Sequence, residues 1–502
     1  MTKLLREIDF GETDANAEWI ISLRSNIEPL YIRAWSPPEV NNYDAFLNGQ
    51  KFIVTGQKGT GKTAILRHME RQAFSSGFST EFIVFKSEIM REAELIKVDS
   101  GNINGAVLEE ENLKTGKFYY HAIKRVMVSL LISKLSTVEM DDNFQERDFM
   151  GRLFGKSGKD ALRVAFDSIL NIVQTYEIDV TKLTKGLIKV DPGQLLKKSN
   201  DDLLSRAVRL ARDQGLKLRL FFDEMHFAFR DKESLRSDAA LVRDTILVVQ
   251  ALNERFAEER LDIVVYIALR KEFLDQPEIA QADVVHVIES YGEAITWEHH
   301  PAANNHPIFD FITLRFKAAM GNNFSRTDMF NTYLKEIDPL DLLEYTWSKP
   351  RDIVRFFKTA QSFDGNTVII QSHKYKAIIK KYSYQAWQES KSALAAFMPV
   401  DALPVLERGL KVLISGQFDG SIKINFDKFK SEMKPAFEKA RVAGVKYDLD
   451  EFCNVLYMMG VFYYVYTDAN GKMIYHQYHR GNTNPTQTGE VRIHAAVAKA
   501  LG

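Results

Sequence analysis

Eight consecutive residues, Gly56-Gln57-Lys58-Gly59-Thr60-Gly61-Lys62-Thr63, fit the pattern G-x-x-x-x-G-K-[ST]. Glycines at these spacings let the backbone curl so that several N–H groups point inward at an anion. A helix that begins at the end of such a loop adds its partial positive charge. Lys62 then has the reach for the β- and γ-phosphates of a nucleotide, and Thr63 offers a hydroxyl to Mg²⁺. Chemistry on a bound triphosphate also needs carboxylates, and Phe221-Phe222-Asp223-Glu224 supplies two. Asp223 is placed to hold Mg²⁺, usually through water, and Glu224 to orient and polarise the attacking water. The plain alternative is a buried strand that ends at an acidic loop by accident. Two arginines complete the set. Arg270 closes an apolar run, where a fixed cation could sense the third phosphate, and Arg351 opens a helical pattern that could carry it over the nucleotide. The plain alternative for each is a solvated arginine.

These residues require particular elements to position them. Lys51–Thr55 is short, apolar and β-branched, which predicts a buried strand, and Ile65, Leu66 and Met69 fall at helical spacing after the loop. Leu218–Phe222 predicts a central parallel strand, and Leu261–Leu269 a further strand beside it. Ligands of open α/β sheets bind at the carboxyl ends of the strands, which is where Asp223 and Arg270 would then lie. Val284–Ile288 is read as one more strand. From about 307 to 397 the patterns are helical. Within them Pro350 suits a first helical turn, with Ile353, Val354, Phe356 and Phe357 on the apolar face. Beyond about 402 come short helices and then a hairpin, in which the runs Val461–Thr467 and Met473–His479 flank Asn470-Gly471.

Composition sets limits on what the chain does. At 502 residues, two or three domains are expected. Apolar residues at 45% and charged residues at 26% fit a globular protein, and a net charge of −1 gives no overall field favouring polyanions. The single cysteine, Cys453, excludes an internal disulfide framework and suits a reducing cytoplasm. It reads as an inert core residue. The N-terminus lacks a signal-peptide run, and the apolar stretches Val126–Leu135 and Phe452–Tyr466 are shorter than the roughly 18–20 residues a bilayer span needs. No membrane role is expected. His299-His300 and His476-x-x-His479 lack a partner set for zinc, so the only metal expected is nucleotide-bound Mg²⁺ at Thr63 and Asp223.

Taken together, the chain resembles the AAA+ and STAND branch of P-loop ATPases. Gly56–Thr63 is similar to Walker A, Phe221–Glu224 to Walker B, Arg270 to the arginine form of sensor 1, and Lys349-Pro350-Arg351 to a sensor 2 region. More narrowly it resembles bacterial P-loop ATPases with an origin-recognition-like module, often encoded in mobile-element and antiphage defence loci. The phrases Lys-Pro-Arg-Asp-Ile-Val-Arg-Phe and the tail Val491–Leu501 carry that likeness. The resemblance implies an α/β P-loop NTPase core, a parallel sheet flanked by helices, with a helical insertion, a helical lid and a C-terminal winged-helix-like domain. The divisions would be 1–45 for an N-terminal segment, 46–295 for the core, 296–399 for the lid and 400–502 for the last domain. The sequence departs from the family pattern between Lys62 and Asp223, which lie much further apart than a compact core needs. The surplus, near Ile89–Ser205, includes an apolar helix over His121–Leu135, a Gly/Lys-rich stretch at Gly151–Lys159, and Lys182–Lys198. No arginine finger is obvious, and Arg255, Arg260 and Arg315 are candidates by rough position only.

The last domain carries 13 Lys and Arg against 11 Asp and Glu from Val400 onward, short of a strongly basic DNA-binding face. Its hairpin tip offers Lys472, with His476, His479 and Arg480 nearby. DNA contact and protein contact both remain open. The leading expectation is an ATP-hydrolysing switch whose nucleotide state controls self-association or an effector partner. The rivals are a DNA-handling ATPase of initiator or transposition-helper type, a non-catalytic nucleotide-binding scaffold and, last, a small-molecule kinase.

Overall fold

The apolar run before the glycine loop forms β1 (Ile53–Gly56), buried along its whole length. In a computed structural model the chain places it in a five-stranded parallel sheet with β2 (Ser79–Val84), β3 (Leu218–Asp223), β4 (Ile263–Arg270) and β5 (Gly292–Ala294), in the order β2-β3-β4-β1-β5. β3 is buried at every position. A strand covered on both faces reads as a continuous apolar run, which is why Leu218–Phe222 does not alternate. The single interruption, Arg219, ion-pairs with Asp262 at 2.7 Å and lies over the Phe78 ring. Described by the structure are residues 2–37, 43–84, 192–223, 232–275, 282–297, 305–415, 423–442, 448–480 without 469 and 472, and 489–502, with 120, 123, 124, 127, 128, 131 and 279.

Several sequence expectations fall outside those residues: Glu224, the Gly151–Lys159 stretch, His299-His300 and Lys472. Of the apolar helix expected over His121–Leu135, residues 123, 124, 127, 128 and 131 are helical, and Ile123, Met127, Val128 and Leu131 are buried in the core.

Helices flank the sheet. In chain order, α1 (Ala15–Ser25) is capped by Asp14, and α2 (Lys62–Ser75) leaves the glycine loop. Two long helices, α3 (Pro192–Asp213) and α4 (Lys232–Glu258), lead into β3 and β4. Between α4 and β4, Asn253 completes the sheet. Its side chain donates to the Val265 carbonyl at 2.9 Å and accepts from the Val265 N–H at 2.8 Å. The first contact of β1 with β4 comes at Ile267, so Asn253 stands in where β1 does not reach.

Val284–Ile288, read as a strand, is instead part of a helix, α5 (Ala282–Tyr291). Val284 and Val287 are buried while Val285 is exposed, with Ile288 and Tyr291 packed against the core. That spacing is helical. Over five residues the β-branched content outweighed it in the sequence reading.

After β5 come α6 (Pro307–Met320), α7 (Pro350–Asp364) and α8 (Ser372–Leu394). Pro350 occupies the first turn of α7 as expected. The start of the chain packs here: the Phe10 ring lies 4.9 Å from Phe357 and 5.2 Å from Phe316. Then follow α9 (Leu403–Ile414), β6 (Ile424–Asn425), α10 (Phe426–Val442), α11 (Leu449–Met458), the hairpin strands β7 (Phe462–Thr467) and β8 (Met473–His476), β9 (Glu490–Ile493) and α12 (Ala495–Leu501). The strands form an antiparallel sheet in the order β6-β9-β7-β8, and Thr467 pairs with Met473 across the Asn-Gly turn. Among the described residues, three helices of this part, α9, α10 and α11, precede the hairpin. One hydrophobic cluster runs from Leu5 to Val497. No described helix is long and apolar enough to cross a membrane.

Candidate functional site

β1 delivers the chain to Gly56 at the carboxyl edge of the sheet, and the loop then turns sharply. Gly59 has φ +87° and Gly61 +100°, left-handed conformations that L side chains avoid. A Cβ on Gly56 would meet Thr60 Oγ1 at 2.7 Å. The turn is held by Thr60 Oγ1 donating to the Gln57 carbonyl at 2.8 Å and by Trp297 Nε1 donating to the Thr60 carbonyl at 2.9 Å. α2 starts at Lys62, so a helix N-terminus, with its unpaired N–H groups and partial positive charge, faces the space beside the loop.

That space is a cavity of about 620 Å³ lined by Lys58–Ala64, Asp223, Arg270 and Arg351, and by Asp14 and Trp35 from the start of the chain. The sheet order explains the meeting. β4 lies between β1 and β3, and its last residue, Arg270, stands directly opposite Gly56. Phe222 stands opposite Ile267, so Asp223 falls one position further along at the same edge. Asp223 is 3% exposed. Lys62, Thr63, Asp223, Arg270 and Arg351, expected from separate parts of the sequence, thus line one cavity. Glu224, the remaining expected residue, follows β3 directly in sequence but lies outside the described residues.

The electrostatics are dense. Lys62 Nζ donates to the Gly56 and Gln57 carbonyls, both at 2.8 Å, so its ammonium is folded back into its own loop. Burial lowers its pKa to about 7, Arg270 and Arg351 push the same way, and Glu272 and Asp223 oppose them. Burial likewise lowers Lys58 and Lys349. Glu272, buried just after Arg270, accepts from the Lys58 N–H at 3.0 Å and lies 3.6 Å from Arg270 Nη2. Burial alone would raise its carboxyl, yet Arg270, Lys62 and Lys349 hold it down at about 2. Arg270 also lies over the Phe273 ring.

Arg351 is close to the loop: a Cβ built on Gly59 comes within 3.4 Å of its Cβ. Its guanidinium points to the start of the chain, with Nε donating to the Thr13 carbonyl at 2.8 Å, Nη2 3.5 Å from Asp14, and Nη1 donating to Glu389 at 2.5 Å. Ser348, two residues before α7, holds φ +53°, an uncommon conformation for a non-glycine residue.

Four contributors escaped sequence reading. Glu272 had a signal, a carboxylate two residues past the strand-ending arginine. Glu389, the Thr13–Asp14 turn and Trp297 had none, because their partners are distant in sequence. Of the arginine candidates, Arg315 is buried and donates to the Phe10 and Phe311 carbonyls; burial lowers it to about 10. Arg255 pairs with Glu258 at the end of its own helix and with Glu259 just beyond it, and Arg260 holds φ +55°.

Among the described residues no group of three or more His, Cys, Asp or Glu is arranged to hold a metal. Thr63 and Asp223 are oxygen donors of the kind Mg²⁺ takes together with substrate phosphates, and both line the cavity. They fit such an ion as part of a nucleotide complex.

No protein-family model matches this chain, and no curated protein sequence does. Among solved structures it is similar to the Orc1 protein of Aeropyrum pernix in complex with DNA, at 12% identity over 94% of this chain and 95% of that one, with a TM-score of 0.31. At that depth the likeness carries no argument about function, and the site stands on its own geometry.

Proposed function

We propose that the chain is an ATP-binding and ATP-hydrolysing switch. One observation carries the reading: the glycine loop, Asp223 and Arg270 converge at one edge of a parallel sheet, in a cavity that α7 closes with Arg351. Gly56–Thr63 would cradle the phosphates and Lys62 would swing from its two carbonyls onto them. Thr63 and Asp223 would hold Mg²⁺, which when bound offsets phosphate charge and helps polarise the terminal phosphoryl group. Glu224 would orient the attacking water, while Arg270 and Arg351 would report the third phosphate. Residues 296–399 would act as the lid and 400–502 as a winged-helix-like output module. The sequence resemblance suggests antiphage defence or mobile-element biology as the setting, with self-assembly or an effector protein as the output.

The deciding experiment pairs two variants. Lys62→Ala is expected to lose nucleotide binding without unfolding, since it removes a phosphate-directed cation and little core volume. Glu224→Gln is expected to keep ATP and lose hydrolysis by two or more orders of magnitude, roughly the loss seen when such positioning groups are removed. Fluorescence titration and phosphate release measure the two. Unchanged affinity in Lys62→Ala would sink the reading.

A second reading, a DNA-handling ATPase, is favoured by the three helices and hairpin of residues 403–480. It requires ATP turnover to rise when duplex DNA is added.

A further inference from the structure

The cavity also holds a carboxylate that the reading above leaves unused. Glu389, on α8, faces the cavity with cations from two different walls around it. Its Oε1 accepts from Arg351 Nη1 at 2.5 Å and lies 3.6 Å from Lys58 Nζ; its other oxygen pairs with Arg355. Lys58 belongs to the glycine loop, whereas Arg351 and Arg355 belong to α7. Arg355 is further paired with Asp352 at 3.3 Å. Every arm of Arg351 is engaged, through Thr13, Asp14 and Glu389. The three cations keep Glu389 ionised well below the usual carboxylate range, even though burial alone would push it the other way.

We propose that Glu389 is a specificity-determining residue: it is the resident anion of the Lys58–Arg351–Arg355 cluster, and it sets the preference of the site between nucleoside triphosphate and diphosphate. This rests on the cavity being a nucleotide site. A diphosphate is satisfied by the loop N–H groups and Lys62. A third phosphate adds charge that must draw Arg351 and Lys58 away from Glu389, or else sit beside a carboxylate in a poorly solvated space. Like charges repel more strongly the less they are screened by water, and Glu389 is largely buried. Glu389 thus weakens triphosphate binding selectively and ties its gain to the breaking of its pairs with Arg351 and Lys58. The exchange is one of ion pairs only, and no covalent step is involved.

The test compares Kd for ADP and for a non-hydrolysable ATP analogue, both with Mg²⁺, in wild type, E389Q, E407Q, R351A and the E389Q/R351A pair. Glu407 carries the same charge outside the cavity, where it pairs with Lys391 and accepts from Trp387. E389Q is expected to bind the analogue about tenfold tighter, with ADP changing less than about twofold, since only a ligand with a differential contact can shift such a balance. E407Q is expected to leave the ratio unchanged, and R351A to cancel the gain in the double variant. Glu389→Asp keeps the charge but draws it back by one methylene. It is expected to move the ratio the same way by less, and it serves as the test if E389Q does not fold. Weaker analogue binding in E389Q would make Glu389 an orienting group for Arg351 and overturn the proposal. Equal shifts for ADP and analogue, or a gain that survives R351A, would overturn it too. If wild type binds neither nucleotide, both this inference and the function beneath it fail; if wild type binds but the ratio in E389Q is unaltered, this inference fails alone.

Discussion

Lys62 is a charge held in reserve. Its ammonium is folded onto the Gly56 and Gln57 carbonyls, and burial lowers its pKa to about 7, so that it titrates near neutral pH. Phosphates brought beside it favour the charged form, so the bound state holds more protons than the free state once the pH exceeds 7. Nucleotide binding should therefore take up protons above neutral pH, and affinity should fall as the pH rises, by up to about tenfold per unit. Calorimetry at pH 8 in two buffers of different ionisation enthalpy measures the uptake. A value near zero would mean that the free lysine is already charged. At this scale the sequence was legible wherever function is local. Lys62 and Thr63 announce themselves by spacing, and Asp223 and Arg270 by ending apolar runs. Glu389 stands 38 positions from Arg351 on an ordinary amphipathic helix, and nothing in its neighbourhood marks it.

Among the elements, β4 takes two of its hydrogen bonds, those of Val265, from a helix. Asn253 is 8% exposed and satisfies both backbone groups of Val265. Asn253→Ala leaves a buried N–H and a buried carbonyl without partners, which costs about 2–4 kcal/mol at 1–3 kcal/mol for each unmet group, partly relieved by relaxation. Urea denaturation should show that loss as a lower midpoint with an unchanged slope. A loss below about 0.5 kcal/mol, the size expected of a surface change, would mean that water or β1 takes over the pairing. Strands β1, β3 and β4 were readable because burial on both faces imposes apolar runs, whereas β2 is only half-buried and β5 spans three residues, and neither stood out. α5 was not, because Val284–Ile288 is too short for its period to outweigh its β-branched content. The role of Asn253 could not be read either, since it follows from how far β1 extends along β4, a matter of tertiary register.

Across the whole molecule, the C-terminal residues are joined to the rest by a close fit at Gly460. This glycine has φ +69°, and a Cβ there would lie 2.4 Å from Trp347 Nε1, which donates to the Gly460 carbonyl at 3.1 Å. The other face of the Trp347 indole is stacked on His494 at 4.1 Å. Gly460→Ala should therefore force Trp347 and the backbone apart. The expected cost is about 2 kcal/mol or more, from an unfavourable φ and overpacking together. Limited proteolysis should then release residues 400–502 faster than in wild type. Equal cleavage rates would show that the joint yields without cost.

The same residues touch the phosphate loop itself. Gln57 Nε2 donates to the Tyr478 carbonyl at 2.9 Å, and the Tyr478 hydroxyl donates to Asp275 at 2.5 Å, just beyond the strand that ends in Arg270. The glycine loop, which would have to rearrange around a bound phosphate on the proposed function, is thus tethered to residues that follow the β7–β8 hairpin. On the proposed function, a macromolecule that shifts Tyr478 would act on the glycine loop through Gln57 and on the end of β4 through Asp275. Thermodynamic reciprocity then fixes the arithmetic: the factor by which nucleotide alters the grip on that macromolecule equals the factor by which the macromolecule alters the grip on nucleotide. The tail of the chain can be weighed from either end.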